Sequence, residues 1–172
     1  EYAGFKLSVT KQPPSKTVYL RILKPFPTVV LSFANGKSSR TACNTNNLFV
    51  VASLIRADTG ENAKRCLEGT VVVKMASSTA AEFRKLKILS TTQQQGTLFR
   101  LQFTLKHYVG TSFCSIPGVV AFSDTIEVFS PTLYLSLEKR RSLLAAAAAA
   151  QSSQDQQADE KMLSLPSINN AH

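Results

Sequence analysis

The chain has three cysteines, two histidines, seven glycines and only eleven acidic residues among 172, and each shortage closes off a class of function. Cys43, Cys66 and Cys114 are too few and too scattered for a disulfide framework, and no CxxC or Cys/His spacing suggests zinc. No metal is expected, and reduced thiols in a cytosolic or nuclear protein are the simplest reading. The glycines are isolated, so neither a Walker-type nor a GxGxxG phosphate loop is present. No apolar run approaches the roughly 20 residues that a membrane-spanning helix needs, and the N-terminus lacks the layout of a signal peptide. Because it opens on Glu1, the sequence reads as a piece of a longer chain.

Catalytic machinery is equally sparse. His172 is the last residue, and His107 falls at the end of an expected strand beside Lys106, where a surface or capping role suits it better than acid–base work. Asp58 and Glu61 fall in an expected loop. Asp124 and Glu127 stand three apart on an expected strand, hence on opposite faces. No catalytic residue, cofactor or small-molecule substrate is expected, and the chain reads as non-enzymatic.

What the chain does have is positive charge. Lys and Arg number 20 against 11 Asp and Glu, a net charge of +9. Residues 1–130 hold 16 basic and 7 acidic residues, whereas residues 131–172 hold 4 of each, so the whole excess sits on the first part. Such a concentration favours polyanions, nucleic acid before anionic membrane, although it also serves solubility alone.

The hydrophobic pattern is that of strands. Phe99, Leu101, Phe103 and Leu105 alternate with Arg100, Gln102, Thr104 and Lys106, the two-residue period of a strand with one buried face. Residues 5–9 alternate similarly, and Pro13-Pro14 forces a loop over 11–16 because consecutive prolines cannot donate to a ladder. Extended runs are expected at 18–23, 28–33, 48–55, 70–75, 84–90, 98–106 and 119–129, with a polar loop over 35–47 and a polar connection over 58–65. Seven to nine short strands with almost no helical period predict an all-β fold, a Greek-key β-sandwich over residues 1–130. After it, residues 131–150 carry six consecutive alanines and predict a C-terminal helix. Residues 151–159 are mostly Gln, Ser, Asp and Ala, and residues 151–172 are expected to be mostly disordered, with Met162, Leu163, Leu165 and Ile168 as a small apolar patch.

Several basic residues fall in expected loops: Lys11, Lys16, Lys37 and Arg40, the last two beside Asn44, Asn46 and Asn47. Such loops grip phosphate and, inserted in a major groove, read base edges. Residues 1–50 contain 7 basic residues and 1 acidic one. Arg84, Lys85 and Lys87 form a second patch that serves equally as a solvated strand edge or a DNA contact. Lys139, Arg140 and Arg141 form a short basic run well placed to touch phosphates.

Phe83-Arg84-Lys85-Leu86-Lys87-Ile88, Leu98-Phe99-Arg100-Leu101-Gln102-Phe103 and the run from Val120 to Ser130 resemble the closing strands of immunoglobulin-like transcription-factor domains of the Rel, STAT, Runt and CSL group. The opening Gln12-Pro13-Pro14-Ser15-Lys16-Thr17-Val18-Tyr19-Leu20-Arg21-Ile22-Leu23-Lys24-Pro25-Phe26-Pro27 looks most like the CudA-type, STAT-related members. The resemblance implies an immunoglobulin-like sandwich that holds double-stranded DNA by loops at one end and by the segment after the last strand. That points to Lys11 and Lys16, the 37–47 loop and the region after Ser130; Arg21 and Lys24 are added from local charge alone.

The expectation is therefore a sequence-specific, double-stranded-DNA-binding domain of a nuclear transcription regulator, with a homodimer or other regulators as further partners and no membrane. The alternative is an immunoglobulin-like protein-interaction module without DNA binding, which an apolar patch on a sheet face with dispersed basic residues would favour. A lipid-binding C2-like sandwich is disfavoured because its calcium loops need several Asp residues that the sequence lacks.

Overall fold

A computed structural model describes residues 4–33, 45–75 and 79–162, with side chains as far as Ser153 apart from that of Thr45. The chain divides into two compact units, Glu1–Pro131 and Thr132–His172. In chain order the elements are β1 (Phe5–Lys11), β2 (Lys16–Val18), β3 (Thr28–Phe33), β4 (Leu48–Arg56), β5 (Leu67–Glu68), β6 (Val72–Lys74), β7 (Ala80–Glu82), β8 (Lys87–Ile88), α1 (Thr92–Gln95), β9 (Phe99–Val109), β10 (Ser112–Phe122), β11 (Glu127–Phe129) and α2 (Pro131–Met162). The first unit is an all-β sandwich. One sheet has the order β1-β3-β7 and the other β10-β9-β4-β6, while β11-β2 and β5-β8 form two small ladders.

The central ladder joins β4 to β9 from Leu48↔His107 to Arg56↔Phe99. The alternation of β9 sends Phe99, Leu101, Phe103 and Leu105 inward, and that of β4 does the same for Leu48, Val50, Ala52 and Leu54, all buried. From the facing sheet come Leu7, Val29, Leu31 and Ala81. Phe83 packs on Phe103 with ring centroids 5.2 Å apart, within the range of favourable aromatic pairs.

Several boundaries depart from the pattern-based reading. The run at 84–90 is a strand only over Lys87–Ile88, because its neighbours are brief segments of the same small ladder. The expected strand at 119–129 is two: β10 ends at Phe122, and Ser123 turns the chain by accepting from Leu101 N–H (2.9 Å) and donating to Asp124 O (2.7 Å). The polar turn before β9 contains α1, whose N-cap Thr91 and Gln94 form a reciprocal capping box ended by Gly96 in the left-handed region. The strand β9 continues past Lys106 to Val109 and turns back at Gly110 into β10, so His107 lies within a strand. The helix α2 runs to Met162, beyond the expected end at Ala150 and through residues expected to be disordered. The apolar residues Leu163, Leu165 and Ile168 lie outside the described residues.

A close approach locks the β5–β8 ladder. Gly69, at φ +114, lies so near the next segment that an added Cβ would sit 1.8 Å from the Lys85 carbonyl oxygen. Gly60, at φ +73, faces open space. Gly69→Ala is expected to cost ~3 kcal/mol or more in urea unfolding, because backbone must shift. Gly60→Ala is expected to cost about 1–2 kcal/mol, the left-handed conformation alone. Equal losses at the two sites would show that the close approach carries no weight.

Candidate nucleic-acid interface

The long ladder sets the ends of the sandwich. The β4 strand has 9 residues, so its ends lie about 26 Å apart at ~3.3 Å per residue. The loop between β1 and β2 sits at the Arg56/Phe99 end: Glu127 N–H bonds to Ser15 O (2.9 Å), Asp124 N–H bonds to Gln12 Oε1 (2.9 Å), and Ile126 pairs with Phe99. Thr45–Asn47 leads into Leu48, at the other end. Phe33, from which the 34–47 connection departs, pairs with Phe5, far along β1 from Lys11. The loop around Lys11 and Lys16 therefore stands at the opposite end of the sandwich from Phe33 and from Thr45–Asn47, and the structure does not bring Asn46 to those lysines.

Of the residues expected to bind, Lys37, Arg40 and Asn44 lie outside the described residues. Asn46 is exposed in the short 3-10 turn before β4. Lys11 is exposed at the end of β1, and Lys16 opens β2 with its Nζ 4.0 Å from Glu127. Lys139, Arg140 and Arg141 are exposed on α2, in the second unit. Arg21 and Lys24 are exposed after β2, with Lys24 Nζ 5.9 Å from the centre of the Phe26 ring.

Arg21 and Lys24 have company that sequence spacing concealed. Leu20 N–H bonds to Ile88 O (3.0 Å) and Leu23 N–H to Leu86 O (2.9 Å), with Ile22 bridged to Lys87. On the other side of the same segment, Leu89 N–H bonds to Cys66 O (2.8 Å), and Glu68 pairs with Lys87. Three stretches far apart in sequence, 20–23, 86–89 and 66–68, thus run side by side over buried Leu23, Leu86 and Ile88. They and their flanks carry Arg21, Lys24, Lys64, Arg65, Arg84, Lys85 and Lys87, all exposed but the half-buried Lys87. The carboxylates among them are Glu68 and Glu82, and Glu82 is held by Arg84. We call this the basic ridge.

Lys64 and Arg65 were missed as site residues, since they looked like ordinary members of a polar connection; the dibasic pair itself was the available signal. The ridge also contains both non-glycine residues with positive φ among the described ones, Leu20 at 66° and Arg65 at 63°. A left-handed leucine is an uncommon conformation that the surrounding bonds must hold in place. Arg21 N–H closes this turn on Val18 O at 3.1 Å.

Arg56 is differently engaged. Its guanidinium binds both Asp58 oxygens, Nε to Oδ1 at 3.2 Å and Nη2 to Oδ2 at 3.0 Å, and Nη1 donates to Gln95 O at 3.1 Å. That fork fastens the turn after β4. The hydrogen bond from Arg56 is the main reason why the Asp58 carboxyl titrates below its ordinary 3.8. A depressed carboxyl pKa contributes stability above the unfolded value and loses it as pH falls through the folded one. The stability difference between wild type and Asp58→Asn is therefore expected to be constant above about pH 5 and to close below 3.8. Denaturant unfolding at several pH values checks it, and a difference that grows with acid would contradict it.

Among the described residues no group of His, Cys, Asp and Glu is arranged to hold a metal ion, and no helix is long and apolar enough to cross a membrane. No family model matches the chain, and no curated protein matches it at a significant level.

Proposed function

We propose that the first unit is a sequence-specific, double-stranded-DNA-binding domain of a nuclear transcription regulator, that it is not an enzyme, and that the basic ridge is its main phosphate-binding surface. The observation that carries the reading is the convergence of seven lysines and arginines from three distant segments around two carboxylates, one of them already paired. A cationic row on a rigid backbone neutralises successive phosphates without ordering a loop first, which keeps the entropic cost of binding low. The resemblance of the closing strands to immunoglobulin-like Rel and STAT-type domains supports the same reading. Lys11, Lys16 and the 37–47 loop are then candidates for base and flanking contacts.

Selection from a random duplex pool, followed by affinity measurement on the enriched and a scrambled site at several salt concentrations, tests this. With about six phosphate contacts, affinity should fall by about three decades between ~50 and ~200 mM salt. The Lys24→Ala/Lys85→Ala/Lys87→Ala variant is expected to reduce the slope of log affinity against log salt by about 2.7. Lys6→Ala, on the solvent side of the other sheet, should leave it unchanged. An unchanged slope in the triple variant would remove the ridge from the interface, and no enrichment over scramble would remove sequence-specific DNA binding altogether.

A further inference from the structure

The two sheets of the sandwich present very different surfaces to solvent. On the β1-β3-β7 sheet the outward rows are Lys6 and Ser32; then Ser8, Val30 and Ala80; then Lys11, Thr28 and Glu82, a mostly polar face in which Val30 and Ala80 are half-buried. On the β10-β9-β4-β6 sheet the outward rows are Lys74, Phe49, Lys106 and Ser115; then Val72, Val51, Thr104 and Val120; then Ser53, Gln102 and Phe122. Phe122 and Phe113 are 47% and 45% exposed, and Val72, Val120 and Tyr108 each 37%. By register Val72 and Val51 lie side by side next to Phe49, and Val120 and Phe122 lie two apart along β10, with Thr104 and Gln102 between the two groups, so the face carries two apolar strips in reach of one extended segment.

Charge says what covers it. None of the residues of these four strands is Asp or Glu, whereas Lys74, Lys106 and Arg100 stand among the apolar side chains. We propose that this face is a docking surface for an acidic, apolar peptide segment of a partner protein, its carboxylates meeting Lys74, Lys106 and Arg100 and its apolar side chains covering Val51, Val72, Val120 and Phe122. A second copy of the same face fits badly, because it sets lysines against lysines with no carboxylate between them. A single-stranded nucleic acid fits badly too. Base stacking needs open ring faces, but Phe49, Tyr108 and Phe113 are packed on one another at 5.0 to 6.2 Å with their planes 56° to 86° apart, which leaves the single ring of Phe122 among valines where successive bases need several.

The sheet edges do not compete with the face. Between Ser115 and Val120 the β10 pairing shifts register around Pro117 and Gly118, and β6 at the other edge has only 3 residues. A bulged edge and a short one are poor templates for strand addition.

The test is a selection from a display library of random 16-residue peptides against the full chain, followed by affinity measurement on the enriched peptides and by amide chemical-shift mapping. Peptides that combine Asp or Glu with Leu, Phe or Val are expected to enrich and to shift Val51, Val72, Thr104, Val120 and Phe122. Phe122→Ser and Val120→Ser are each expected to weaken binding at least tenfold, and Lys74→Ala/Lys106→Ala several-fold with a reduced salt dependence. Should a serine variant unfold, the lysine pair and the shift map still decide the matter. Equal binding of peptides with Lys in place of the acids would overturn the proposal, as would shifts clustered elsewhere. Concentration-dependent dimerisation that buries this face, or displacement of the peptide by oligo(dT), would give the surface to a second copy or to nucleic acid instead. Retention of DNA binding by Phe122→Ser keeps this outcome separate from that for the basic ridge.

Discussion

The register between β4 and β9 is the constraint on which both the core and the surface depend. Pairing Val50 with Leu105, Ala52 with Phe103 and Leu54 with Leu101 puts all six in the interior. The same register leaves Phe49, Val51, Ser53, Gln102, Thr104 and Lys106 on the outer side. A slip by one residue would invert both sets at once, because the side-chain period of a strand is two. Such a slip would bury Lys106 and expose Phe103, so burial on one side fixes what the other side presents. The apolar outer positions are then a choice of residue rather than a consequence of folding: Val51 and Val120 stand where serine or threonine would pair equally well, as Ser53 and Thr104 do beside them.

The same logic explains how much was legible in the sequence. The strict alternation from Phe99 to Lys106 identifies a half-buried strand without help, and the unbroken apolar run of β4 identifies a central one. The sandwich and its C-terminal helix follow from such local signals. Boundaries did not, where a single residue outside the pattern decides them. Ser123 stops β10 through two hydrogen bonds of its hydroxyl, and nothing in its neighbours announces this. The helix α2 continues past its alanines through Gln and Ser, whose composition alone suggested disorder.

The candidate site was legible only in part, for a different reason. Arg21 and Lys24 stand out by local charge, and Arg84, Lys85 and Lys87 as a short basic run. That they belong together rests on hydrogen bonds from Leu20 and Leu23 to a segment more than sixty residues later. Lys64 and Arg65 join through Cys66 and Leu89. Loop composition grouped Asn46 with Lys11 and Lys16, whereas the strand directions set Asn46 at the opposite end of the sandwich from those two lysines. Local composition finds charges, but pairing across the chain decides which of them share a surface.

The ridge and the sheet face also differ in how their charges are held, and that difference separates their chemistry. On the ridge, seven cations stand beside the exposed Leu20 and Ile22 and lie on a backbone that tolerates left-handed Leu20 and Arg65. Strain of this kind persists where the structure around it is over-determined, here by bonds to Ile88, Leu86 and Cys66. Fixed positive charges over buried leucines suit a rigid polyanion whose charges are evenly spaced. On the sheet face, three cations are diluted among valines and aromatic rings, so attraction by charge alone would be weak and screened. Binding there must gain most of its free energy from apolar burial, with the cations selecting the sign of the partner. The basic residues of the ridge and those of the sheet face therefore make two kinds of surface, and a partner that satisfies one is poorly matched to the other.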